Sequence, residues 1–285
     1  MKYGLVLEGG AMRGMFTAGV TDVLMENGFE FDGAVGVSAG AAFGCNVKSG
    51  QRGRAIRYNT RFCKDKRFCS FASLVKTGDM FGAEFCYHTI PEKLDKFDFE
   101  AYNRSKMEFY VVCTDVVTGK AVYKSLPVAD NDCLEWIRAS ASMPLASRIV
   151  SVGGRKLLDG GITDSIPLEF MEKQGYERNL VILTQPRGYV KQPTKAIPMM
   201  KVALRKYPKL INAAQHRHEM YNEELKFVTN AEKQGRAFVI APPEGLPVGH
   251  VEHDANVLQE VYRIGRKAGT ESLARLAEFM GKQST

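Results

Sequence analysis

Apolar positions fall into short runs over the first half of the chain and into helical periodicity towards its end. The run at 3–7 has the length of a buried parallel strand. A glycine-rich loop follows at 9–14. Then Met15, Phe16, Val20, Val23 and Leu24 recur at near-helical spacing up to Asn27 and Gly28, a helix stop. A second short strand is expected over 31–36, followed by Ser38 and a small-residue helix beginning at Ala39. Strand, loop, helix, strand, turn, helix within about fifty residues predicts a βαβ unit and a parallel sheet.

Further along, 109–113 reads as a strong strand, 118–120 as a turn and 121–124 as the return strand of a hairpin. A helix is expected over 133–141, stopped by Pro144. A second hairpin pairs 148–152 with 155–158 across Gly153-Gly154. The segments 180–184 and 237–240 are further buried-strand candidates, with a basic helical stretch at 197–233 between them. From Asn256 onward, Val257, Leu258, Val261, Ile264, Leu273, Leu276 and Phe279 carry helical periodicity. The region 68–98 is less regular but rich in aromatic residues. There is no internal repeat and no linker, so one domain over 1–285 is expected, with a C-terminal helical part at about 190–281 integrated into it.

Composition adds little beyond a globular class. The chain has 285 residues, 45% of them hydrophobic and 25% charged. No stretch approaches the roughly 18 apolar residues of a membrane-spanning helix, and no signal peptide is expected. Six scattered cysteines, none in a C-x-x-C pair, read as free thiols in a reducing cytosol. The net charge of +7 is a mild basic excess. The stretch 48–71 interleaves basic and aromatic residues; a solvated charged face is the plainer reading, transient contact with an anionic membrane surface the alternative.

Three motifs carry candidate chemistry. Gly36-Val37-Ser38-Ala39-Gly40 matches the G-x-S-x-G elbow, a sharp strand-to-helix turn that exposes the Ser hydroxyl near a helix N-terminus. Gly9-Gly10-Ala11-Met12-Arg13-Gly14 follows the first strand and opens the first helix, so its amides can bind an anion. It serves either as an oxyanion hole or as a nucleotide-phosphate loop, although the strict G-x-G-x-x-G would need glycine at Ala11. Asp159-Gly160-Gly161 follows a strand and reads alone as a common turn. Of five histidines, His250 and His253 have the chain order of a Ser-acid-His triad, but the elbow comes too early for an α/β-hydrolase.

Together, and in this order, these motifs resemble the patatin-like phospholipase family. Ala139-Ser140-Ala141-Ser142-Met143-Pro144 is similar to its A-S-x-x-x-P segment, and Thr114-Asp115 with Thr118-Gly119-Lys120 to its T-D-x-x-T-G hairpin; the match spans about 3–170. The resemblance implies a three-layer α/β sandwich with a central, mostly parallel sheet flanked by helices. It implies a serine esterase acting on lipid acyl esters, with Ser38 as nucleophile and Asp159 as general base. Gly9 to Gly14 would hold the oxyanion, with the amides of Gly10, Ala11 and Met12 as candidate donors and Arg13 as a nearby charge. Gly36, Gly40, Gly160 and Gly161 would shape the turns around the pair. No cofactor, metal or nucleic acid is expected, and a cytoplasmic location, peripheral to membrane, is. Phospholipid, lysophospholipid, neutral glyceride and simple ester remain open as substrates. A phosphate-binding module and a catalytically silent lipid-binding scaffold are the competing readings.

Overall fold

A computed structural model of the chain describes residues 1–281. In chain order its elements are β1 (Tyr3–Leu7), α1 (Gly14–Glu26), β2 (Gly33–Val37), α2 (Ala39–Lys48), α3 (Arg54–Phe62), α4 (Phe71–Thr77), α5 (Phe99–Arg104), β3 (Glu108–Asp115), β4 (Lys120–Ser125) and α6 (Asn131–Ser140). They continue with β5 (Val150–Val152), β6 (Arg155–Asp159), α7 (Leu168–Lys173), β7 (Arg178–Ile182), α8 (Ile197–Ala203), α9 (Pro208–Lys233), β8 (Ala237–Ile240) and α10 (Ala255–Phe279). A 3-10 turn at Ala11–Arg13 leads into α1, and another at Gly160–Ile162 follows β6.

The strands form one eight-stranded sheet with a parallel centre, β3-β2-β1-β7-β8. Alternation along β1 sends Leu5 and Leu7 to one apolar layer and Val6 to the other. Helices α1, α2 and α10 cover the first face, and α7 and α9 the second. This is the expected α/β sandwich. The C-terminal helix is locked to the N-terminal one by a glycine pair. A Cβ on Gly19 would lie 2.2 Å from the Tyr262 carbonyl, and one on Gly265 would lie 2.1 Å from that of Phe16.

Strand β3 explains where the candidate site forms. One of its edges pairs with β4 from Tyr110 to Asp115. The other edge pairs first with β2, whose last register position is Val37 against Val112. There β2 turns away into α2, and β6 takes over the same edge, beginning with Asp159 against Cys113. Ser38 and Asp159 are thereby delivered to one point on the sheet, although 121 positions separate them.

Several expectations need adjustment. The second strand runs Gly33–Val37, not 31–36; Asp32 instead ties this segment to β1, its carboxylate accepting the Tyr3 N–H at 2.6 Å. The helical stretch 197–233 is two helices, because Pro208 has no N–H to continue the first and opens the second. The region 68–98 is not irregular: α4 is followed by a π-helical segment, Phe85–Leu94, containing Pro91. Within 48–71, Lys48 and Arg54 are buried. The Lys48 amine donates to the carbonyls of Ser105 and Met107, and Arg54 donates to Asn46 and the Asp95 carbonyl. Arg57 and Arg67 are paired with Asp95 and Asp65. All six cysteines are free thiols. Among the described residues, no helix is long and apolar enough to cross a membrane.

Candidate active site

Ser38 occupies a conformation L-residues rarely adopt, φ 56° and ψ −119°, at the junction of β2 and α2. Such strain persists only when the surroundings over-determine it. Here the Ser38 amide donates to Ser140 Oγ at 3.0 Å, and Ser140 Oγ donates to the Val112 carbonyl at 2.6 Å. Gly40 must lack a side chain because its missing Cβ would stand 2.2 Å from the Leu7 carbonyl of β1. Strand β1 and helix α2 therefore meet backbone to backbone, which brings the 9–14 loop against the elbow.

Asp159 is held from three sides. Its N–H donates to the Ser142 carbonyl at 2.8 Å, its carbonyl accepts the Thr114 hydroxyl at 2.8 Å, and its carboxylate accepts the Gly161 N–H at 2.8 Å. The A-S-x-x-x-P segment and the T-D-x-x-T-G hairpin thus act here as positioning elements, through Ser140, Ser142 and Thr114. The Asp159 carboxyl is buried against the Ser38 hydroxyl. Burial pushes its pKa up, and the contacts with Ser38, Arg217 and the Gly161 amide only partly offset this. A carboxylate raised in this way is a better proton acceptor than a free one.

The 9–14 loop is arranged around Ala11, whose φ is 48°. That is backbone a glycine favours, so the methyl sits there at the cost of strain. Within the 3-10 turn the first internal bond runs from the Arg13 N–H to the Gly10 carbonyl, at 3.0 Å. The amides of Ala11 and Met12 precede it, at the start of the turn, where N–H groups have no partner within the turn itself. Glu8 anchors the loop from below: its carboxylate accepts the Tyr221 hydroxyl and the Thr184 amide, each at 2.6 Å, while the Thr184 hydroxyl donates to the Gly9 carbonyl at 3.0 Å. Burial raises the pKa of Glu8 against the pull of those contacts and of Arg13 and Lys191.

Ser38 lies where two cavities meet. One is apolar and runs under α2 and α3, past Met12, Phe43, Tyr58, Phe68 and Ile90. The other contains Asp159 and the 9–14 loop and is walled by Arg13, Lys191, Arg217, Tyr221 and His250. No histidine is hydrogen-bonded to Ser38 or Asp159 among the described residues. His250 lines the second cavity, where partial burial and the charges of Arg13, Arg217 and Lys191 push its pKa down. Among the described residues, no group of His, Cys, Asp and Glu is placed to hold a metal ion.

The sequence reading named Ser140 only as part of the A-S-x-x-x-P segment, and it gave no role to Glu8, Thr184, Lys191, Arg217 or Tyr221. Only Glu8 had a visible signal, a charge directly ending an apolar strand. Arg217 and Tyr221 are polar residues on a long helix and look like any solvated face.

Two family models match parts of the chain. Residues 5–171 match a family model described as patatin-like phospholipase. Residues 207–281 match one described as a domain of unknown function (DUF6363). The chain is 30% identical to the uncharacterized protein YjjU of Escherichia coli over 99% of its own length and 80% of that protein. It is 28% identical to lysophospholipase nte1 of Aspergillus niger over 60% of this chain but only 11% of that protein. VipD of Legionella pneumophila superposes with a TM-score of 0.44 at 13% identity, covering 95% of this chain and 67% of that one.

Proposed function

The chain belongs to the patatin-like phospholipase family, and from that membership we propose that it is a serine lipid acyl hydrolase working through Ser38 and Asp159. The observation that supports this best is the edge of β3, where β6 replaces β2 and puts a buried, raised-pKa carboxyl against a strained serine.

In this reading Asp159 takes the Ser38 proton as Oγ attacks the ester carbonyl. The amides of Gly10, Ala11 and Met12 receive the oxyanion, each donor contributing on the order of 3 kcal/mol to the transition state. Asp159 then returns the proton to the departing alcohol. Water, deprotonated by the same carboxylate, releases the acid and restores Ser38. The acyl chain occupies the apolar cavity and the alcohol portion the cationic one. A relative named as a lysophospholipase agrees with an acyl ester of a polar alcohol as substrate. Helix α9 supplies Arg217 and Tyr221 to that cavity, which supports counting α9 in the catalytic unit.

Ester hydrolysis by Ser38→Ala and Asp159→Asn provides the test. Both variants should unfold like the parent yet lose at least about 10³-fold in kcat/KM. Retention of activity by the Ser38 variant would refute the assignment.

A further inference from the structure

Three cations meet in the second cavity without being neutralised. Arg13, Lys191 and Arg217 line it, and none forms an ion pair among the described residues. Each comes from a different part of the chain, and Lys191 and Arg217 are held in place. The Lys191 backbone is clamped by Asn222, whose Oδ1 accepts its N–H at 2.9 Å and whose Nδ2 donates to its carbonyl at 3.1 Å. The Lys191 amine sits 4.6 Å from the centre of the Tyr221 ring. Arg217 Nε donates to the Gly161 carbonyl, which leaves the rest of the guanidinium facing the cavity. Arg13 Nε is buried with no protein acceptor, and native interiors rarely leave such a group without a partner, be it protein, water or ligand.

The acids facing them do not balance this charge. Glu8 and Asp159 are both shifted towards their neutral forms by burial, and Glu8 is already engaged by Tyr221 and Thr184. The cations also repel one another: burial first, then Arg217 and, after the opposing pull of Glu8, Arg13 push the Lys191 pKa down to about 8, with Glu224 opposing. A multiply charged, multi-oxygen ligand would relieve this repulsion and supply acceptors to two guanidinium groups at once.

Resting on the assignment of Ser38 as nucleophile, we propose that Arg13, Lys191 and Arg217 form an anion subsite on the alcohol side of the scissile ester. It selects acyl esters whose alcohol carries a doubly charged phosphomonoester. A zwitterionic headgroup brings a cation into the same cavity and is disfavoured, and an uncharged alcohol leaves the subsite unused.

The experiment compares three glycerol esters with the same acyl chain, headed by a phosphomonoester, a phosphocholine or a free hydroxyl. The phosphomonoester should have the highest kcat/KM, by about tenfold or more over the uncharged ester, expressed mainly in KM. Lys191→Gln should reduce that ratio about tenfold, and Lys191→Arg should restore most of it. Lys226→Gln, an exposed site paired with Glu223, should leave the ratio unchanged. Inorganic phosphate, titrated against the uncharged ester, should compete and do so less in Lys191→Gln. Phosphate that alters kcat and not KM would assign the cations to free phosphate and overturn the headgroup subsite. Equal kcat/KM for the three esters, or a ratio untouched by Lys191→Gln, would also overturn it. Failure to hydrolyse any of the three would count instead against Ser38.

Discussion

Replacing Ala11 by glycine isolates what the 9–14 loop asks of its backbone. Ala11 sits at φ 48°, where a residue with a Cβ is strained by roughly 1–2 kcal/mol. Glycine removes that strain but loses about 0.5–1 kcal/mol through the greater freedom of the unfolded chain. The balance is a gain of about 0.5–1 kcal/mol, or a rise in Tm of roughly 1–3 °C for a chain of this size. Because the loop already has the glycine-like shape, the amides of Gly10, Ala11 and Met12 should keep their directions and kcat/KM should stay within about threefold. Ala11→Val should do the reverse, since a β-branched residue at positive φ is a genuine outlier, and lose more than about 1 kcal/mol. Thermal unfolding monitored by circular dichroism and hydrolysis of a short soluble ester read both quantities. An Ala11→Gly variant that melts several degrees lower, or loses activity more than about tenfold, would refute the reasoning and show that the methyl itself is required.

Two further substitutions probe the scaffold around the pair. Ser140→Ala removes the hydroxyl bridging the Ser38 amide and the Val112 carbonyl, leaving both buried groups unpaired. It should cost about 1–3 kcal/mol by denaturant unfolding and lower kcat more than it raises KM, because it loosens the elbow and not the binding walls. Glu224 accepts the amides of Ser165 and Ile166 and shares its site with Asp164; burial, then the Asp164 charge, raise its pKa strongly. The folded state therefore keeps a proton that the unfolded chain releases above about pH 4.3. Stability should be full below that pH and fall as pH rises towards the folded pKa, by up to about 1.4 kcal/mol per unit. Glu224→Gln mimics the protonated form and should flatten this slope; a Tm that declines equally with pH in both proteins would disprove it.

The glycine-bearing turns of the candidate site were legible because their demands are local. A sharp turn after a strand needs Gly36, Ser38 and Gly40 in fixed spacing, and a close loop needs Gly9 and Gly10. The strand order was not legible, and neither was the changeover from β2 to β6 along β3, because register depends on pairing partners distant in the chain. The aromatics of 68–98 resisted reading for a related reason. Phe68, Phe81 and Ile90 line the apolar cavity from separate short elements, so no single periodicity connects them. The cationic wall is the extreme case: Arg13, Lys191 and Arg217 converge only once α9 packs beneath the 9–14 loop through the Tyr221–Glu8 bond.

The most direct test of the whole scheme is covalent. A fluorophosphonate probe, followed by peptide mass spectrometry, should modify the protein once, at Ser38. The labelling rate should rise with pH as Asp159 deprotonates, fall sharply in Asp159→Asn, and vanish in Ser38→Ala. Stoichiometric labelling of folded Ser38→Ala at another residue, or none of the parent protein, would contradict Ser38 as the activated nucleophile.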